Sequence, residues 1–168
     1  VDITSAADVV GDEPLMMKKQ LANVRVFVSN DRVAGIHYIN TLDPSRKVIL
    51  LDDSLQHRPL DGWFQILLTD IQCIFSDDYL LPAGRLRDIK SRASQVDMIV
   101  VTELKSLTED TTMVDQSIYQ YSQAPIYHTS LSNGKIRDCF TKEEVLLNEQ
   151  VVAVSAIANP YTFYQMVE

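Results

Sequence analysis

The segment Val48–Arg58, VILLDDSLQHR, constrains the chain more than any other stretch. Four apolar residues run straight into two aspartates, then a small residue, then Gln56, His57 and Arg58. A short unbroken apolar run reads as a strand buried on both faces, as in a parallel sheet. Carboxylates at the carboxyl end of such a strand lie where open α/β sheets bind ligands. In phosphate-binding folds an acid at that position places magnesium. The plain alternative is a strand closing in an Asx turn with solvated aspartates.

Other apolar segments repeat the pattern. Val24–Ser29, Phe64–Thr69 and Asp97–Thr102 read as strands beside Val48–Leu51, separated by helical or looped connections. That order predicts an α/β fold with a mainly parallel sheet and flanking helices. Gly11-Asp12-Glu13-Pro14 opens a helix: Asp12 can cap it, Glu13 suits the positive end of the dipole, and Pro14 is tolerated in the first turn. A second helix covers Arg32–Thr41. After about Leu104 the character changes. Residues 105–112 are polar and read as a linker. Ile126–Leu131 and Lys135–Phe140 flank Ser132-Asn133-Gly134, a tight-hairpin signal. Val151–Ala156 reads as a further strand leading to a helix start at Asn159-Pro160. We therefore expect two regions, 1–104 and 105–168, the second beginning another α/β lobe.

Composition narrows the function. With 15 Lys+Arg against 23 Asp+Glu the net charge is −8, which argues against non-specific binding to nucleic acid. No apolar run reaches the roughly 18 residues that span a bilayer. Cys73 and Cys139 form no CxxC pair and read as buried, reduced thiols. His37, His57 and His128 lack zinc-ligand spacing.

Leu80–Asp88, LLPAGRLRD, is the second distinctive segment. Pro82 and Gly84 break regular structure, and the Arg85 and Arg87 guanidinium forks that follow suit phosphate recognition. Each feature has an ordinary reading as well. Asp12 and Glu13 can be a helix start, Arg32 a solvated charge, and Arg85 and Arg87 surface arginines facing solvent or Asp88.

In this order, however, GDEP, Arg32, LLDDSLQHR, LLPAGRLRD and Ala158-Asn159-Pro160 resemble the lipid A 4'-kinase (tetraacyldisaccharide 4'-kinase) family over essentially the whole chain. Ser54 stands where that family usually has glycine. The resemblance implies a P-loop-type kinase, peripheral at the cytoplasmic face of the bacterial inner membrane. It would move the ATP γ-phosphate to the 4'-hydroxyl of tetraacyldisaccharide 1-phosphate, with Mg2+ as cofactor. By motif match, Asp12 corresponds to the proposed catalytic base and Glu13 to its neighbour. Asp53 corresponds to the magnesium ligand with Asp52 beside it, and Gln56 and His57 to polar residues organising the site. Arg32, and the Arg85 and Arg87 loop, fall with the family's substrate-phosphate residues. No G-x-x-x-x-G-K-[ST] occurs in the 168 residues, so the chain reads as an inactive, soluble fragment of the kinase. The rival class is a non-catalytic α/β interaction or regulatory module.

Overall fold

A computed structural model describes residues 1–45, 48–60, 62–104, 106–132, 134–141, 143–146, 152–156 and 163–164. The chain divides into two compact units, Val1–Gln65 and Ile66–Glu168.

The first unit is helical. α1 (Ala7–Val10) and α2 (Asp12–Gln20) meet at Gly11, whose φ is +91°. A Cβ there would lie 3.1 Å from the Pro14 ring, so the bend between the helices is a glycine conformation for two reasons. α2 buries Leu15. α3 (Arg32–Leu42) starts at Asp31, whose side chain accepts the Ala34 N–H at 3.0 Å, a regular N-cap. Its Ile36 and Ile39, three apart on one face, are buried.

Two expected strands of this unit do not form. Residues 24–29 and 48–51 carry no strand pairing among the described residues. Val48 is 68% exposed and Leu50 89%. An apolar run becomes a buried strand only where neighbouring strands take its N–H and C=O groups. Among the described residues of this unit no strand lies alongside either run, so neither forms a ladder.

The second unit holds the sheet. β1 (Ile66–Asp70), β2 (Met98–Leu104) and β3 (Ile126–Ser130) form a three-stranded parallel sheet in that order. Ile66 pairs with Met98, and Ile99 with Ile126. Ile99, Val101 and Leu104 of the central strand are buried, together with Ile118 from α4 (Thr112–Tyr119). Fully burying each such side chain contributes about 1.5–3 kcal/mol. A 3-10 turn over Lys90–Gln95 buries Ala93 on the way into β2. This is the α/β arrangement with flanking helices that the apolar segments implied, built on the Phe64 and Met98 runs and on Ile126.

α4 is held at its start. The Asp110 carboxylate accepts the Thr112 N–H and hydroxyl, which hold its carboxyl below the usual aspartate range. Asp115 takes the Thr111 hydroxyl on one oxygen and faces His128 Nε2 at 2.9 Å on the other, tying the helix to β3.

The hairpin expected around Asn133 needs correction. Asn133 lies outside the described residues, and Ile126–Ser130 pairs in parallel with β2. The antiparallel pairing falls one step later, at a bridge between Arg137 and Glu144. There Asp138 Oδ1 accepts the N–H groups of Phe140 and Thr141 and makes the turn. Residues 152–156 form no strand, with Val152 and Val154 exposed, and the Asn159-Pro160 helix start lies outside the described residues. The expected lobe boundary after Leu104 falls inside the second unit, between two strands that pair. Cys73 is half-buried and Cys139 exposed, neither in a disulfide, so the reading of two buried thiols does not hold. Among the described residues, no helix is long and apolar enough to cross a membrane.

Candidate functional site

The aspartate loop begins where the apolar run 48–51 stops. Asp53 has φ +47°, in the left-handed region, so the alternation of a strand ends there. Asp52 and Asp53 are therefore not forced onto opposite faces. The chain then tightens: the His57 N–H donates to Ser54 O at 2.9 Å, and the Leu60 N–H to His57 O at 3.1 Å. Leu60, buried, pins the far end of the loop in a 3-10 turn, Arg58–Leu60. Asp52, Asp53 and Gln56 are exposed, and His57 is half-buried.

Arg32, in the first turn of α3, reaches this loop. Its Nη2 donates to Asp52 O at 3.3 Å and to Asp53 O at 3.1 Å. Two motif segments 20 residues apart in sequence are thus joined by one guanidinium. Asp12 and Glu13 stand exposed in the same unit at the start of α2. Gly11 takes the N-cap position expected of Asp12, and the Asp12 carboxylate accepts the adjacent Glu13 N–H at 3.0 Å.

The residues fit a magnesium site of the usual kind. Among the described residues no group of three His, Cys, Asp or Glu side chains could hold a metal by itself. Magnesium in phosphoryl-transfer sites commonly takes one or two carboxylates and completes its shell with water and substrate phosphates. Two adjacent exposed aspartates on a turn meet that requirement.

Arg85 and Arg87 lie in the second unit, exposed, on the LPAG loop. This loop closes on itself: the Leu86 N–H donates to Tyr79 O, and the Leu81 N–H to Leu86 O, both at 3.0 Å. Asp78 sits at its neck, accepting the Tyr79 N–H at 2.7 Å and the Arg85 N–H at 3.2 Å. Arg85 Nη1 donates to Cys73 Sγ at 2.9 Å. Lys90 braces the base, donating to Ser76 O at 2.6 Å with its charge over the rings of Tyr79 and Tyr121. Asp78 and Lys90 escaped the sequence reading. The available signal for Asp78 was an Asp placed just ahead of a Pro-Gly loop, where Asx turns are common.

Gly84 explains the glycine of LPAG. A Cβ there would lie 2.2 Å from Asp78 Oδ1, 2.3 Å from Tyr79 O and 2.6 Å from Tyr79 N. Two of those atoms are backbone and cannot swing away. Gly84→Ala is therefore expected to cost about 1–3 kcal/mol, as overpacking does. Urea denaturation would check it: an unchanged midpoint would mean the neck opens without strain.

The sequence was also compared with known proteins. A family model described as tetraacyldisaccharide-1-P 4'-kinase matches residues 1–168. The tetraacyldisaccharide 4'-kinase of Bacteroides fragilis strain YCH46 is 34% identical over 178 residues, covering 98% of this chain and 47% of that protein. That of Cytophaga hutchinsonii is 35% identical over 159 residues, covering 93% of this chain and 45% of that protein. That of Flavobacterium johnsoniae is 38% identical over 110 residues, 65% of this chain and 32% of that protein. The chain spans about half the length of the curated relatives it matches first. No solved structure matches it. A match running along every residue, with the aspartate, GDEP and LPAG segments in place, means that the chain belongs to the tetraacyldisaccharide-1-P 4'-kinase family.

Proposed function

We propose that the protein carrying these residues transfers the γ-phosphate of ATP to the 4'-hydroxyl of a tetraacyldisaccharide 1-phosphate. The observation that carries this reading is the Arg32 contact to the carbonyls of Asp52 and Asp53, which joins two motif segments within a chain matched by the kinase family from end to end. In this reading the enzyme works as a peripheral protein at the cytoplasmic face of the inner membrane, where the lipid lies. Its division into lobes at about residue 104 belongs to the same proposal.

Phosphoryl transfer asks the protein mainly for positioning and charge neutralisation. Asp12 receives the proton of the attacking hydroxyl on its carboxylate, with Glu13 supporting it, once substrate excludes water from this exposed pair. Asp53, with Asp52 beside it, would hold Mg2+, which when bound would supply charge neutralisation to the ATP phosphates. Gln56 and His57 orient polar groups around that site. In the same reading Arg85 and Arg87 of the LPAG loop serve the substrate phosphate.

The test is transfer of labelled phosphate from ATP to purified tetraacyldisaccharide 1-phosphate by the full-length protein. Label at the 4'-position supports the reading, and no transfer under any divalent cation overturns it. The 168 residues by themselves hold no glycine-rich phosphate cradle and no accompanying lysine. We therefore expect no turnover from them alone and no magnesium-dependent ATP shift in melting temperature. Binding at 100 times the dissociation constant would stabilise by roughly 2.7 kcal/mol, which a thermal scan resolves.

A further inference from the structure

We infer that Arg32 is the positioning residue of the aspartate loop, setting the backbone of Asp53 so that its carboxylate is presented to the metal. The inference rests on the kinase reading for the identity of the metal site, and on three observations for the role. First, Asp53 occupies a left-handed conformation, φ +47°, uncommon for a residue with a side chain even though aspartate enters it more readily than most. Second, the carbonyls of Asp52 and Asp53 belong to the two peptide units that flank the Asp53 Cα. The φ and ψ of Asp53 alone decide whether they point the same way. In an extended strand successive carbonyls point to opposite sides, and here both converge on one nitrogen, Arg32 Nη2, at 3.3 and 3.1 Å. A donor shared by these two acceptors fixes that pair of angles. Third, the donor is itself fixed. Arg32 is the first residue of α3, whose start is capped by Asp31.

The role differs from contact with the lipid's phosphate, which the family resemblance suggests for Arg32. A phosphate contact would affect the lipid and leave the metal alone. A positioning role predicts the opposite pattern: groups that orient a metal's ligands typically cost 10–100-fold in metal affinity when removed.

The experiment uses the full-length protein with Arg32→Ala and Arg32→Lys. Lysine keeps the charge and the stem and loses the planar fork. Mn2+ binding is followed by electron paramagnetic resonance in the presence of a non-hydrolysable ATP analogue. Hydrogen–deuterium exchange is followed on the peptide covering residues 52–60. We expect Mn2+ affinity to fall by about tenfold or more in Arg32→Ala, with a smaller loss in Arg32→Lys. Exchange at His57 and Leu60 should quicken, and the KM for the lipid should move by less than about twofold. Unchanged Mn2+ affinity and unchanged exchange, with a raised lipid KM, would overturn the inference and make Arg32 a substrate contact. Should Arg32→Ala fail to fold, Arg32→Lys alone decides by the same readouts. A wild-type protein that transfers no phosphate and binds no Mn2+ with nucleotide removes the kinase reading, and this inference with it.

Discussion

Replacing Asp12 by alanine in the full-length kinase should slow phosphoryl transfer by about 10²–10⁴-fold, the usual contribution of a general base. The KM for ATP should change little, because in the proposed reaction the proton that Asp12 would take belongs to the lipid's hydroxyl. The competing explanation of Asp12 is local. It stands in the first turn of α2 and accepts the Glu13 N–H at 3.0 Å, and an acidic first turn is itself favourable. Loss of a helix-start contact costs about 1 kcal/mol of stability and does not slow the chemistry of molecules that remain folded. Because Gly11, not Asp12, takes the N-cap position, even that stability cost should be small here. Asp12→Asn separates the two roles most cleanly. The amide oxygen still accepts the Glu13 N–H, so the helix start survives while the base is lost. A folded Asn variant within about threefold of the wild-type rate would return Asp12 to a helix-start residue and leave the base unassigned.

What the sequence disclosed depended on whether the signal was local. The starts of α2 and α3 were legible because their cause lies within four residues: Asp31 ahead of Arg32, and Gly11 ahead of Asp12 and Pro14. Phe64–Thr69 and Asp97–Thr102 were legible as strands because both find parallel partners in their own unit. Val24–Ser29 and Val48–Leu51 have equally apolar sequences and carry no ladder, since a run of side chains does not state whether a neighbour will take its backbone hydrogen bonds. The pairing expected across Asn133-Gly134 is not seen among the described residues for a related reason. A turn signal says where the chain can reverse, while the partner of β3 was decided by β2, more than 20 residues back. At the site, Asp52, Asp53 and Arg32 were named from motifs, but the bond between them was not foreseeable. It joins a side chain to backbone carbonyls, which carry no sequence code. The neck of the LPAG loop was hidden likewise, because the atoms that demand Gly84 are those of Asp78 and Tyr79, outside the motif itself.

Replacing Asp53 by glycine in the full-length kinase should abolish most activity while leaving the fold as stable as before, and the pairing of those outcomes is the informative part. In the proposed reaction the carboxylate would hold the metal, and a metal that offsets phosphate charge contributes several kcal/mol to transition-state stabilisation. At 1.36 kcal/mol per tenfold, its loss corresponds to a drop of about 10²–10³-fold or more in rate. The backbone consequence runs the other way. Asp53 sits at φ +47°, a region that costs a typical side-chain-bearing residue roughly 1–2 kcal/mol, though aspartate tolerates it better. Glycine enters it freely, and its greater freedom in the unfolded chain costs about 0.4–1 kcal/mol in return. The two terms nearly cancel, so the stability change should stay within about 1 kcal/mol. Asp53→Ala removes the same carboxylate and keeps a Cβ, without aspartate's tolerance of the left-handed region. It should be as inactive as the glycine variant yet less stable by about 1 kcal/mol. Steady-state rates and urea midpoints for the two variants give both comparisons. Equal stabilities for glycine and alanine would mean the left-handed turn at Asp53 is not held in the working enzyme. A glycine variant within about threefold of the wild-type rate would move the proposed metal from Asp53 to its neighbour Asp52, an exposed residue as well.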